Sequence, residues 1–283
     1  MPGTLYIVAT PLGNLEDLSP RALGNLRSVE CIACEDTRRT ARLLQRFDVK
    51  TRMLSCHKFN ESARLEAVLG ILQDGGDVAL VSDGGTPGVS DPGMLLVQAA
   101  WNDGIRVSPL PGPSAVVTLL SASGMPADRF RFDGFLPHRQ GQRRRRLREL
   151  ASDPMTLVFF EAPHRIRETL GDMEAILGGR SLVLGRELSK VHETLLRGTA
   201  REILDALGSG EVRGEITLVV EGAGRGPEWT APDAGASRIV EVWEEALDAA
   251  DGDRREALKS SARILGMKRA ELYRILAELG KAD

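Results

Sequence analysis

The residues best placed to do chemistry lie in Val81-Ser82-Asp83-Gly84-Gly85-Thr86-Pro87-Gly88-Val89-Ser90-Asp91-Pro92-Gly93. Four glycines let the backbone approach a ligand or take positive φ, and two prolines stiffen the loop. Two aspartates without a lysine suit a cationic or polar ligand rather than a triphosphate. Neither GxxxxGK[ST] nor GxGxxG occurs. An apolar run leads into the loop and a helix-periodic run leaves it at Met94. In an open α/β sheet, a loop at the carboxyl end of a strand is where small ligands bind.

The elements that must hold this loop alternate. Strand-like runs fall at 4–9, 31–34, 51–54, 77–81 and 106–108, with helical spacing at 20–27, 38–47, 61–73 and 94–102. This predicts a largely parallel sheet covered by helices. The unit closes with Pro111-Gly-Pro-Ser-Ala115 and a helix over 116–122; 123–128 reads as a linker. A second unit has strands near 130–135, 155–160, 181–186 and 215–221, and helices near 143–151, 165–177 and 200–207. After a Gly/Pro-rich tether at 222–233, helices are expected at 236–249, 254–265 and 268–279, the last two joined at Gly266-Met267 like a helix-turn-helix. The expected fold is α/β, with α/β domains over 1–122 and 123–222 and a small helical domain over 236–283.

Composition narrows the partners. The 283 residues are 42% hydrophobic, enough for two cores, and the net charge of −3 places any nucleic-acid surface in local patches. No apolar run reaches the roughly 18–20 residues of a membrane span. The N-terminus lacks a basic leader, and three cysteines argue for a reducing cytoplasm. Cys31 and Cys34 form a CxxC, but on a strand they point to opposite faces and cannot share an ion. The four histidines show no ligand spacing, so no metal is expected.

Six segments in chain order carry a resemblance. They are Gly3-Thr-Leu-Tyr-Ile-Val-Ala-Thr-Pro-Leu-Gly-Asn-Leu-Glu-Asp17, Glu35-Asp-Thr-Arg-Arg-Thr40, the loop at 81–93, Pro111-Gly-Pro-Ser-Ala115, Phe160-Glu-Ala-Pro-His-Arg165 and Arg186-Glu-Leu-Ser-Lys190. The chain resembles the bacterial 16S rRNA ribose 2′-O-methyltransferases that modify a decoding-region cytidine, in the tetrapyrrole-methylase class of S-adenosylmethionine (SAM) enzymes. Gly84, Val89 and Ser189 stand where Ala, Ile and Thr are usual, and 226–283 match only loosely. The resemblance implies SAM in a cleft between two α/β domains, a homodimer, and 16S rRNA, within the small subunit, as partner.

It further implies which residues hold the cofactor: Pro11, Leu12, Asp83, Gly84, Thr86, Pro87, Val89, Ser90, Ser114 and Ala115 from the first domain. Glu161, Ala162, Gly214, Glu215, Ile216 and Thr217 close over it from the second. Methyl transfer to a weakly acidic 2′-OH is helped by a base or a cation that favours the alkoxide. Lys190 is the first choice for that role, with Glu187, Asp36 and Glu35 behind it. RNA contacts are expected from Arg38, Arg39, His57 and the run Arg143, Arg144, Arg145, Arg146, since arginine grips phosphates bidentately. Two alternatives stay open at this point: a tetrapyrrole or diphthamide-type methyltransferase on the same fold, and a non-catalytic RNA-binding assembly factor.

Overall fold

The computed structural model describes residues 1–57, 61–223, 234–250, 253–265 and 269–278. The chain divides into two compact units, Met1–Gly224 and Arg225–Asp283.

The first unit starts with β1 (Thr4–Val8), α1 (Pro20–Ser28), β2 (Cys31–Cys34), α2 (Thr37–Arg46), β3 (Arg52–Ser55), α3 (Glu61–Gln73), β4 (Val78–Val81), α4 (Met94–Asn102) and β5 (Arg106–Leu110). Its strands form an all-parallel sheet in the order β3-β2-β4-β1-β5. Every residue of β2 and β4 is buried, as befits strands covered by helices on both faces. Cys31 and Cys34 are both fully buried and belong to the cores on opposite faces of the sheet, as their spacing predicts. Burial pushes the Cys34 thiol up to about 11. Helix α1 begins with Ser19 accepting the Ala22 N–H and Pro20 in the first turn.

Next come α5 (Ala115–Ser123), β6 (Phe130–Phe135), α6 (Gln140–Leu150), β7 (Thr156–Glu161), α7 (Ile166–Leu177), β8 (Leu182–Arg186), β9 (Thr194–Gly198), α8 (Ala200–Ala206) and β10 (Ile216–Val220). The second sheet is mixed, in the order β6-β7-β10-β8-β9, and only β6 and β7 run parallel. Strand β9, absent from the sequence reading, is a half-exposed edge paired with β8; its Thr-Leu-Leu-Arg-Gly lacks a continuous apolar signal. Helix α5 precedes the expected linker, yet Val116, Leu119 and Leu120 pack on Val158, Val183 and Val219 of the second sheet. By packing, it therefore covers the second sheet rather than the first. It ends at Gly124, whose φ of +66° is a left-handed cap.

The second unit contains α9 (Ala234–Ala249), α10 (Arg254–Ile264) and α11 (Arg269–Glu278). They enclose Trp243, Ala246, Ala257, Ala262, Leu272 and Leu276. The side chain of Asp253 caps α10 by accepting the Arg255 and Glu256 N–H groups. The expected Gly266-Met267 turn lies outside the described residues. Among the described residues no helix is long and apolar enough to cross a membrane.

Candidate active site

A cavity of about 350 Å³ opens where the two sheets of the first unit meet. The first sheet supplies the loops at the carboxyl ends of β1, β4 and β5, through Leu12, Gly84–Thr86, Val89–Asp91 and Ser114–Ala115. The second supplies the ends of β6 and β7 (Phe135, Phe160–Pro163) and the antiparallel entry into β10 (Gly214–Thr217). A cavity of this size, apolar with a few convergent polar groups, is of the kind that takes a small molecule.

Local bonds shape the long loop. Thr10 and Gly85 exchange backbone hydrogen bonds of 2.9 Å each, and the Thr86 hydroxyl donates to the Pro113 carbonyl at 3.0 Å. Gly85 has φ +87°, and a Cβ there would meet Leu12 Cδ2 at 3.3 Å. Ser90 holds φ +66°, uncommon for a non-glycine residue. At the loop's end the buried Glu61 carboxylate accepts N–H groups from Gly93, Leu95 and Leu96, capping α4. At α5, Ser114 makes no side-chain cap, so the first-turn N–H groups beside the cavity are open to a ligand's acceptors.

Two carboxylates give the cavity its electrostatic character. Asp91 is pushed up to about 6, first by burial and then by the like charges of Asp83 and Glu215. Glu215 lines the cavity and also accepts from Lys190 Nζ at 3.1 Å. A bound cation would relieve the cost of ionising Asp91.

The family model described as Tetrapyrrole (Corrin/Porphyrin) Methylases matches residues 4–204. Over nearly its whole length the chain is similar to proteins named "Ribosomal RNA small subunit methyltransferase I". The Pseudomonas aeruginosa relative is 45% identical, covering 96% of this chain and 95% of that one. The Escherichia coli O157:H7 relative is 44% identical, covering 98% and 95%. The chain belongs to this methyltransferase family. Among solved structures it is similar to the methyltransferase CobJ, with TM-score 0.60 and 19% identity over 78% of this chain and 95% of that one. A uroporphyrin-III-C-methyltransferase from Thermus thermophilus gives TM-score 0.53 at 24% identity, over 78% and 93%. These two likenesses establish the fold.

In this family member, most of the residues nominated for the cofactor line the cavity: Leu12, Gly84, Thr86, Val89, Ser90, Ser114, Ala115, Glu161, Ala162, Glu215 and Ile216, with Gly214 and Thr217. Three do not. Pro11 and Asp83 line a smaller neighbouring cavity with Arg39 and Thr40, and Pro87 lines neither. Asp83 accepts the Asp36 N–H at 3.1 Å and faces an Arg39 nitrogen at 3.4 Å. The aspartate in the main cavity is Asp91, which the sequence reading left out. Glu161 contributes its backbone only: its buried carboxylate is taken up by Arg165, by the Thr169 hydroxyl at 2.6 Å and by the Ala162 N–H.

Lys190 stands beside the cavity, 2.8 Å from Glu187 and 3.1 Å from Glu215. Burial alone would lower its pKa, but hydrogen bonds and charge from Glu187 and Glu215 outweigh it and hold the ammonium above its ordinary value. In the free protein this favours the cationic form of Lys190. Its stem fills the space over Gly13, where a Cβ would sit 2.0 Å from Lys190 Cγ. Glu187 and Ser189 take φ of +56° and +61° to bring the loop there. An open groove of about 850 Å³ runs past it, lined by Asn14, Arg46, Glu187, Ser189, Lys190 and His192 among others.

Asp36 is engaged at the start of its own helix. Hydrogen bonds from the Arg38 side chain, then from its N–H, hold its carboxyl well below the usual range, and it caps α2. Glu35 moves the other way, raised by burial and by Asp83 and Asp91. Arg38 and Arg39 are exposed. His57 is half-buried, its carbonyl accepting the Glu61 N–H, and the adjoining 58–60 lie outside the described residues.

The arginine run also departs from expectation. Arg143 is fully buried and donates to Asp172 at 2.7 Å and Glu168 at 3.3 Å, so it cannot reach RNA. Arg144 binds the other Asp172 oxygen, Arg146 binds Asp133 and Glu149, and Arg145 alone stands out in solvent, pairing with Glu149. A fourfold run on a helix sends some members inward, and composition does not show which ones meet buried acids.

Proposed function

We propose that this protein transfers the methyl group of SAM to a ribose 2′-hydroxyl of small-subunit rRNA, on a decoding-region cytidine. The observation that carries this reading is full-length similarity, at 44–45% identity, to rRNA small subunit methyltransferases. The solved structures compared are 24% identical or below, and their likeness carries the fold alone.

SAM, when bound, supplies an activated methyl group with a good leaving group. The cavity fits it: an apolar body, aromatic rings at Phe135 and Phe160, open N–H groups at Ser114–Ala115 for a carboxylate, and Asp91 for a cation. Enclosure by both sheets excludes water, and alignment of nucleophile and methyl group is the main catalytic task. Lys190, fixed by Glu187 and Glu215, presents a cation at the boundary between cavity and groove, where it orients the incoming hydroxyl and favours its alkoxide. Glu187 positions this lysine and accepts the Glu215 N–H at 2.9 Å. Asp91 and Glu35, whose carboxyls are raised, are better proton acceptors than Asp36.

RNA docks along the groove lined by Arg46, Lys190 and His192 and on exposed Arg38 and Arg39. The helical unit adds the exposed Arg255, Lys259, Arg263, Arg269 and Arg274. The enzyme works as a cytoplasmic homodimer, a reading supported by the family resemblance and testable by light scattering.

Asp91 links pH to cofactor binding. Its folded pKa, about 6, lies above the ordinary 3.8, so ionisation costs the ligand-free protein stability as pH rises through about 6. A cationic ligand favours the ionised form, so SAM affinity is expected to strengthen as pH rises through about 6. Calorimetry between pH 5 and 8 checks this; Asp91→Asn should flatten the profile, and an unchanged profile in the variant removes Asp91 from the site.

The activity itself is tested with methyl-labelled SAM, offering the enzyme small ribosomal subunits and, separately, a tetrapyrrole precursor. Label in the RNA is expected. Label only in the tetrapyrrole would reassign the substrate, and SAM binding without transfer would favour the assembly-factor reading.

A further inference from the structure

Strand β6 contains one residue too many. Its register against β7 runs Arg131 to Leu157 and Phe132 to Val158, then jumps to Gly134 opposite Phe159 and Phe135 opposite Phe160. Asp133 is the extra residue of a β-bulge. Strand side chains alternate, so Phe132 and Phe135, three apart, would point to opposite faces of a regular strand. The bulge resets the alternation. Both rings now meet Phe160, Phe132 edge-on at 4.9 Å and Phe135 tilted at 5.6 Å, and Phe135, 56% exposed, forms part of the cavity wall.

The bulge is held from outside the sheet. Arg146 grips both oxygens of Asp133, Nε at 2.8 Å and NH2 on the second oxygen, while its NH1 donates to Glu149 at 3.0 Å. The hydrogen bonds to Asp133, then Glu149, push the already high pKa of Arg146 higher still. Gly134 takes φ +67°, and a Cβ there would come within 3.2 Å of Ser90 Oγ, on the long loop. Just past the ring, Arg165 donates to the Leu136 carbonyl at 3.1 Å and to Glu161 Oε1 at 2.9 Å. Phe135 is thus bracketed by two arginine anchors, neither of which lines the cavity.

We propose that Arg146 is a positioning residue for the cofactor: its two-pronged grip on Asp133 maintains the bulge that turns Phe135 into the cavity as an aromatic wall. The role rests on the cavity being the SAM site. It gives a member of the arginine run a purpose that is independent of RNA, and it explains why a fork is needed, since a lysine's point charge cannot hold both carboxylate oxygens in plane.

The test uses S-adenosylhomocysteine calorimetry and amide exchange on the full chain. Arg146→Gln is expected to weaken S-adenosylhomocysteine about three- to tenfold, the range for losing one aromatic contact. It should also speed exchange across 132–136 in the ligand-free protein and leave affinity for small ribosomal subunits unchanged. Phe135→Leu should weaken the ligand similarly, the double variant no further, because the two act through one contact. Arg146→Lys should recover only part, and Arg145→Gln, on the solvent side of the same helix, should leave S-adenosylhomocysteine affinity and exchange across 132–136 unchanged. Should Arg146→Gln fold poorly, Asp133→Asn keeps the shape and cuts the same link. Unchanged S-adenosylhomocysteine affinity in a folded Arg146→Gln, or lost subunit affinity with unaltered exchange, overturns the proposal. If the wild type itself does not bind S-adenosylhomocysteine, the cofactor reading has failed, and exchange at 132–136 still decides the clamp.

Discussion

Lys190→Ala is expected to lower kcat by about 10²–10⁴-fold, the range for losing a group that manages the reacting proton or its charge, with SAM affinity nearly intact. The lysine lines the open groove rather than the cavity, so the cofactor keeps its contacts, while the incoming hydroxyl loses the nearest fixed cation. The hydrogen bonds to Glu187 and Glu215 that raise its pKa favour the cation over the base. A lysine base would need a depressed pKa, give a rate rising through that pKa, and resist rescue by arginine. A lysine held as a cation gives a rate independent of its own titration near neutrality, and Lys190→Arg should restore part of the activity. Single-turnover methylation of small subunits across pH separates these outcomes. A near-normal rate in Lys190→Ala would move the search to Asp91 and Glu35, whose carboxyls are both raised.

The largest expected effect on stability lies far from the chemistry. Asp172→Ala should cost about 3–5 kcal/mol, because Arg143 would remain fully buried without its main counter-charge. Glu168 cannot compensate, being 3.3 Å away and 68% exposed. Burial alone would raise the pKa of Asp172, but hydrogen bonds from Arg144 and Arg143 outweigh it and hold the carboxyl below its ordinary 3.8. Its contribution is therefore full above that value and is lost as pH falls through the lower folded pKa. Thermal melts should show a drop on the order of 10 °C for the variant at neutral pH, with the gap to wild type narrowing in acid. Replacing Arg143 and Asp172 together by apolar residues of similar volume should cost much less than Asp172→Ala alone. A melt unchanged in Asp172→Ala would return the arginine run to the RNA-binding surface.

The contrast between these two sites shows what a linear sequence carries. The parallel sheet was legible because β2 and β4 are continuous apolar runs and the helices between them keep their own period. The cavity was largely legible because its lining is concentrated in short segments after strands, where glycine, proline and cap residues leave a visible trace. Asp91 and Asp83 could not be told apart: they lie in one loop, and only its fold turns one into the main cavity and the other toward Arg39. Phe135 was hidden for a sharper reason. Read as a regular strand, β6 puts Phe132 and Phe135 on opposite faces, and the bulge that joins them depends on an arginine thirteen residues away in sequence. The burial of Arg143 was invisible for the same cause, since its partner Asp172 lies on another helix.

The central claim, that the enzyme methylates a ribose 2′-hydroxyl of small-subunit rRNA, is tested most directly by mapping 2′-O-methyl groups along 16S rRNA. The RNA would come from cells lacking the protein, before and after incubation of their small subunits with the purified enzyme and SAM. The account predicts one decoding-region cytidine unmethylated at its ribose before treatment and methylated after it. A 16S map identical with and without the protein would contradict it.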